Sequence, residues 1–100
     1  MIDQNAEKLS ILLKSMANPT RLKILCLLRE REYAVGEIQS VLETTTANIS
    51  QHLTVLRRNG IVESRKEANV VLNRIADGRV LLLIETLYDL YCKKENVNAA

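Results

Sequence analysis

Glycine occurs three times in this chain of 100 residues, proline and histidine once each, and cysteine twice. So few backbone breakers exclude a loop-built or fibrous protein, and with 47% hydrophobic residues the chain predicts one compact, mostly helical domain over residues 1–100. No uncharged apolar run approaches the roughly 20 residues that a membrane-spanning helix needs. The N-terminal stretch also lacks a signal peptide's charged start and cleavage site, so the expectation is a cytoplasmic protein with no membrane partner. Two distant cysteines would by default stay reduced there. No paired carboxylates, nucleophile-base constellation or glycine-rich phosphate loop is present, which argues against an enzyme. Internal repeats, low-complexity tracts and linkers are missing too, and only the stretch from Glu95 to Ala100 reads as frayed.

The formal net charge of +2 is small but unevenly placed. From Ser50 to Arg74 the bases Arg57, Arg58, Arg65, Lys66 and Arg74 meet only Glu63 and Glu67, a local +3 that leaves −1 for the rest. A polyanion-binding surface needs such a patch, because phosphate neutralisation supplies most non-specific affinity for DNA. By itself the cluster equally suits a solvated face.

Leu9, Leu12, Leu13 and Met16 share one face of a first helix over about residues 5–16. Asn18 as a cap and Pro19 at the first helical position start a second helix that runs to about Glu30, and a short third helix covers about Val35 to Leu42. Thr45 caps a fourth helix, which stops at Asn59-Gly60, where glycine permits a left-handed turn. Two β-prone runs, Ile61 to Lys66 and Val70 to Ile75, joined by Glu67-Ala68-Asn69, read as a hairpin. The last helix, Gly78 to Cys92, is apolar on more than one face and needs a second surface, for which a partner chain is the obvious candidate.

On a wheel of about 100° per residue, Ile49, Leu53 and Leu56 of the fourth helix fall together towards the core. The opposite side is centred on Ala47, Gln51, Thr54 and Arg58, with Asn48, Ser50 and Arg57 at its flanks. Glutamine can pair bidentately with adenine, arginine with guanine or phosphate, and threonine or serine with either. Short helix, tight turn, exposed polar helix and hairpin is the order of a winged helix-turn-helix. The candidate DNA contacts are Thr46, Ala47, Asn48, Ser50, Gln51, His52, Thr54, Arg57 and Arg58 on the helix, with Arg65, Lys66, Asn69 and Arg74 on the hairpin. His52 lies nearer the core-facing stripe, so a structural role or a phosphate contact at the edge suits it better than base reading. The bland alternative is a helical interaction domain whose polar face is merely solvated and binds no DNA.

The stretches "LLKSMANPTRLKILCLL", "VGEI", "ISQHLTVLRRNGIVESRKEANVV" and "LYDLYC" together resemble the ArsR/SmtB family of dimeric winged-helix repressors over nearly the whole chain. Within it, the "RKEAN" hairpin and the two cysteines resemble the BigR, SqrR and HlyU branch, which senses reactive sulfur or oxidants through cysteine. The resemblance implies a mainly α fold with a β-hairpin wing, assembled as a homodimer through its first and last helices on a double-stranded DNA operator. Tyr33-Ala34, "TTTAN" and Leu72-Asn73 depart from the common family pattern, so no operator sequence carries over. The family's metal-sensing branch places Cys-x-Cys at the third helix, where "YAVGEIQS" has no thiolate. Asp77, Glu85 and Asp89 near the last helix lack a histidine to join them, and neither a metal nor another cofactor is expected.

An isolated Cys26 in a core helix is most simply a small hydrophobe. Yet Lys23 and Arg29 lie three residues to either side, and such cations favour a reactive thiolate. Cys92 stands at a helix end, where the dipole disfavours an anion while Lys93 and Lys94 favour one. Cys26 and Cys92 match the two sensing positions of the sulfur-responsive branch. That likeness implies a repressor whose operator binding is released when reactive sulfur species or oxidants bridge them. An anti-silencing activator of the HlyU kind is the other reading the branch allows.

Overall fold

The computed structural model describes residues 4–93. Five helices and three strands follow one another as α1 (Gln4–Met16), α2 (Pro19–Leu28), β1 (Tyr33–Ala34), α3 (Val35–Leu42), α4 (Thr46–Arg58), β2 (Val62–Glu67), β3 (Val70–Ile75) and α5 (Gly78–Tyr91). This is the winged helix-turn-helix order, with the wing formed by β2 and β3.

Local chemistry sets the ends of these elements. The Asn18 side chain accepts the backbone N–H groups of Thr20 and Arg21 at 2.9 and 3.1 Å, and Pro19 opens α2 without leaving a donor stranded. α2 ends at Leu28 rather than near Glu30. The N–H of Glu30 bonds to the carbonyl of Leu27, a tightened turn, and the charged run that follows has no apolar face to bury. Thr45 Oγ1 accepts the Asn48 N–H at 3.1 Å to start α4, and Gly60 (φ 70°) reverses the chain after it.

The core is where the helical stripes converge and pack against the sheet. Ile24 and Leu25 from α2, Ile38 from α3, and Ile49, Leu53 and Leu56 from α4 are fully buried, with Ile61, Val62, Val80 and Ile84 packed against them. Of the α1 stripe, Met16 is buried and Leu12 packs on the core, but Leu13 remains 45% exposed. The single chain covers only part of that face.

The sheet holds one strand more than the hairpin expected from sequence. β1 pairs antiparallel with β3 (Tyr33↔Asn73, Ala34↔Leu72), giving the order β1-β3-β2. Two residues carry no alternation that could announce a strand. Glu67 pairs with Val70, so the wing tip is the two-residue loop Ala68-Asn69, shorter than the three-residue link expected.

Candidate nucleic-acid interface and cysteine pocket

α4 presents Ala47, Gln51 and Arg58 as exposed residues on the side opposite Ile49, Leu53 and Leu56. Gln51 and Arg58 have no side-chain hydrogen bond or ion pair among the described residues, so their donors and acceptors remain available to a ligand. The other candidates on the helix are partly committed. The Thr46 hydroxyl donates to Gln39 Oε1 and Asn48 Nδ2 donates to Thr44 Oγ1, tying the start of α4 to α3 and to the turn between them. Ser50 is half-buried and accepts the Thr54 hydroxyl on its carbonyl at 2.8 Å. Arg57 turns its guanidinium to Thr54 Oγ1, Ser64 Oγ and Asn73 Oδ1 at 3.3, 3.2 and 3.4 Å, and so braces the helix against the wing.

Asn73 anchors that brace, and sequence reasoning missed it. Fully buried in β3, its Oδ1 accepts the Ser64 hydroxyl at 2.7 Å while its Nδ2 donates to the Tyr33 carbonyl at 3.1 Å. All three strands therefore meet at one amide. The clue available in the sequence was a polar residue on an inward parity of β3.

His52 is half-buried, with its Nδ1 3.4 Å from Arg21 Nη1. Burial first, and the Arg21 charge second, hold its pKa below the usual histidine value. A neutral ring accepting at Nδ1 from Arg21 carries its proton on Nε2.

The wing cations are less free than their number suggests. Arg65 grips Glu32 with Nε and Nη2 at 2.9 and 2.8 Å and Glu67 with Nη1 at 2.7 Å. Arg74 bonds to Glu63 at 2.8 Å. Lys66 is the wing cation without an ion pair among the described residues, and it lies exposed near the tip with Asn69. Hydrogen bonding from Arg65 outweighs desolvation and lowers the Glu32 carboxyl below its ordinary pKa, while the two carboxylates raise that of Arg65. Nothing in the sequence joins Glu32 to Arg65, which lies in another element.

Away from this surface, α2 and α5 flank an open apolar pocket of about 250 Å³ lined by Leu22, Ile84, Leu87, Tyr88 and Tyr91. Cys26 and Cys92, both free thiols, also line it, the first half-buried and the second exposed at the C-cap of α5. The Arg29 guanidinium lies 3.6 Å from the centroid of the Tyr88 ring. Burial works against the Arg29 charge, but the neighbouring Cys26, with Tyr88 and Glu30 adding to the effect, outweighs it and raises the pKa. Lys23, the other cation flanking Cys26 in sequence, is exposed. Among the described residues no three His, Cys, Asp or Glu side chains gather as metal ligands would, and no helix is long and apolar enough to cross a membrane.

Residues 18–64, which span α2 to the start of β2, match the model of bacterial regulatory proteins of the arsR family. The chain is 46% identical to the transcriptional activator HlyU of Vibrio cholerae over 92% of its own length and 85% of that protein. It is 39% identical to the biofilm growth-associated repressor of Agrobacterium fabrum over 94% of this chain and 80% of that one. The solved structure of HlyU from Vibrio cholerae superposes with a TM-score of 0.88, covering 92% of this chain and all (100%) of that one. A homodimeric winged helix-turn-helix DNA-binding domain from Mycobacterium bovis, 30% identical, gives 0.78 over 90% and 86% of the two chains. Fold, element order and these relatives agree: the chain belongs to the ArsR family of winged helix-turn-helix transcriptional regulators.

Proposed function

We propose that the chain is a homodimeric repressor that holds double-stranded operator DNA and releases it when Cys26 and Cys92 become bridged by an oxidant or a reactive sulfur species. The exposed pair Gln51 and Arg58 supplies base and phosphate contacts from α4, with Lys66 and Asn69 of the wing reaching along the backbone. The observation that carries the switch is the pocket between α2 and α5, which both thiols line. In a direct bridge each cysteine yields one proton and one electron to the oxidant as the S–S bond forms. With a persulfide donor, one cysteine takes the outer sulfur and the donor leaves as its thiol; the second thiol then displaces hydrogen sulfide to close a disulfide, or, if it too has taken a sulfur from a second donor molecule, the two persulfides close a trisulfide and release one hydrogen sulfide. Either bridge ties α5 to α2, which packs on α4, and so moves one recognition helix relative to its copy. A dimer must meet half-sites about 34 Å apart, so a small shift lowers affinity.

Gel shifts on genomic fragments at two salt concentrations test the DNA reading, because a helical interaction domain without that role binds no duplex in a salt-sensitive way. Cys26→Ser and Cys92→Ser should each bind operator as the parent does and keep binding after treatment with a persulfide donor or peroxide. A variant that still dissociates like the parent refutes the switch. The likeness to an activator favours one second reading, in which the same DNA binding raises transcription by displacing another protein. Promoter assays with and without the chain separate the two by sign.

A further inference from the structure

A phosphate-binding arginine in the wing should meet DNA with its guanidinium free, yet Arg65 is held by two carboxylates. Glu32, in the turn before β1, takes the Nε and Nη2 edge of the guanidinium with both oxygens, at 2.9 and 2.8 Å. That two-point geometry is the one an arginine uses on a phosphate. Both partners remain partly exposed, with side-chain accessibilities of 46% for Arg65 and 28% for Glu32. Water and salt therefore screen the pair, and such ion pairs contribute little net stability.

We infer that Glu32 is a phosphate competitor built into the wing: it occupies the fork of Arg65 in the free protein, and backbone phosphate must displace it on binding. This rests on the reading of the wing as a DNA contact. The displaced carboxylate stays close to the duplex, attached to the turn before β1, and repels any phosphate that takes its place. The wing thereby adds little affinity for arbitrary DNA, and the exposed face of α4, where base edges are read, decides which duplex is held. Glu67 and Glu63 act in the same sense on Arg65 and Arg74. Glu32 differs from them in lying outside the wing, so its exchange also releases one tie between the wing and the turn before β1, while the pairing of β1 with β3 stays in place.

The test measures fluorescence anisotropy of a labelled random-sequence duplex across a potassium chloride series, with the full chain and the variants Glu32→Gln, Glu32→Asp, Arg65→Gln and the double variant Glu32→Gln/Arg65→Gln. Glu32→Gln should bind about five-fold tighter, the effect of removing one unit charge about 4 Å from another in water. Its plot of log affinity against log salt should steepen, by up to about 0.9, because the displaced carboxylate no longer offsets the charge of Arg65 at its phosphate. Glu32→Asp should follow the parent, and the double variant should lose the gain, because the gain passes through Arg65. An unchanged slope with equal or weaker binding in Glu32→Gln makes the pair a mere strut and overturns the inference while leaving DNA binding in place. A parent chain that binds no duplex at any salt sinks the DNA reading itself, and this inference with it.

Discussion

His52 links the recognition helix to α2 through Arg21, and its neutrality has a measurable cost. Burial and the Arg21 charge lower its pKa in the folded chain. Below the unfolded value of about 6.5, the unfolded chain takes up the proton first. Stability is thus full above that value and declines as pH falls towards the lowered folded value. Urea midpoints taken at pH 7.5 and 5.5 should fall with acidity in the parent and fall less in His52→Asn; parallel behaviour of the two would remove His52 from the account. Its position beside the core-facing stripe was legible from helical spacing, since the wheel needs only the chain order. Asn73 and Glu32 were not legible, because their partners lie 40 and 33 positions away in sequence. A sequence pattern says which side of a strand a residue takes, and it does not say what waits there.

Among the elements, the wing tip shows local strain. Ala68, the first residue of the two-residue loop, has φ of 56°, a left-handed value that favours glycine at this place in a hairpin. Ala68→Gly should raise stability by about 0.5 kcal/mol, a melting-temperature gain of roughly 2–4 °C, after the greater freedom of the unfolded glycine chain is offset. A lower melting temperature would mean that Ala68 does not hold this conformation in solution. The helices were readable almost to their ends because their signals are local: Asn18, Pro19, Thr45 and Gly60 each act within one turn. The hairpin was readable too, from two β-prone runs around a break. β1 escaped because a two-residue strand exists only by pairing with β3.

At the scale of the molecule, apolar surface remains uncovered. Ile11 is 61% exposed, Leu82 65%, Leu90 60% and Tyr91 73%, all on the first and last helices. Exposed apolar residues on two helices are the kind of surface that a second copy would cover, and a solved structure of the same fold, 30% identical, is homodimeric. Leu82→Glu combined with Leu90→Glu should leave circular dichroism unchanged, halve the mass seen in sedimentation, and weaken operator binding by at least about a hundredfold, because two half-sites would no longer be linked. A parent chain that sediments as a monomer at micromolar concentration would dismiss the dimer.

Helix number, the inward stripe of α4, its polar outward face and the wing were all implicit in the order of residues, because periodicity and capping act between near neighbours along the chain. Distance in sequence hides the rest. Only the folded chain brings Cys26 and Cys92 to one pocket, lays Arg29 on Tyr88, joins three strands at Asn73 and closes Glu32 on the fork of Arg65. Each of those contacts spans separate elements, and the packing of the helices and the sheet sets the separation between them.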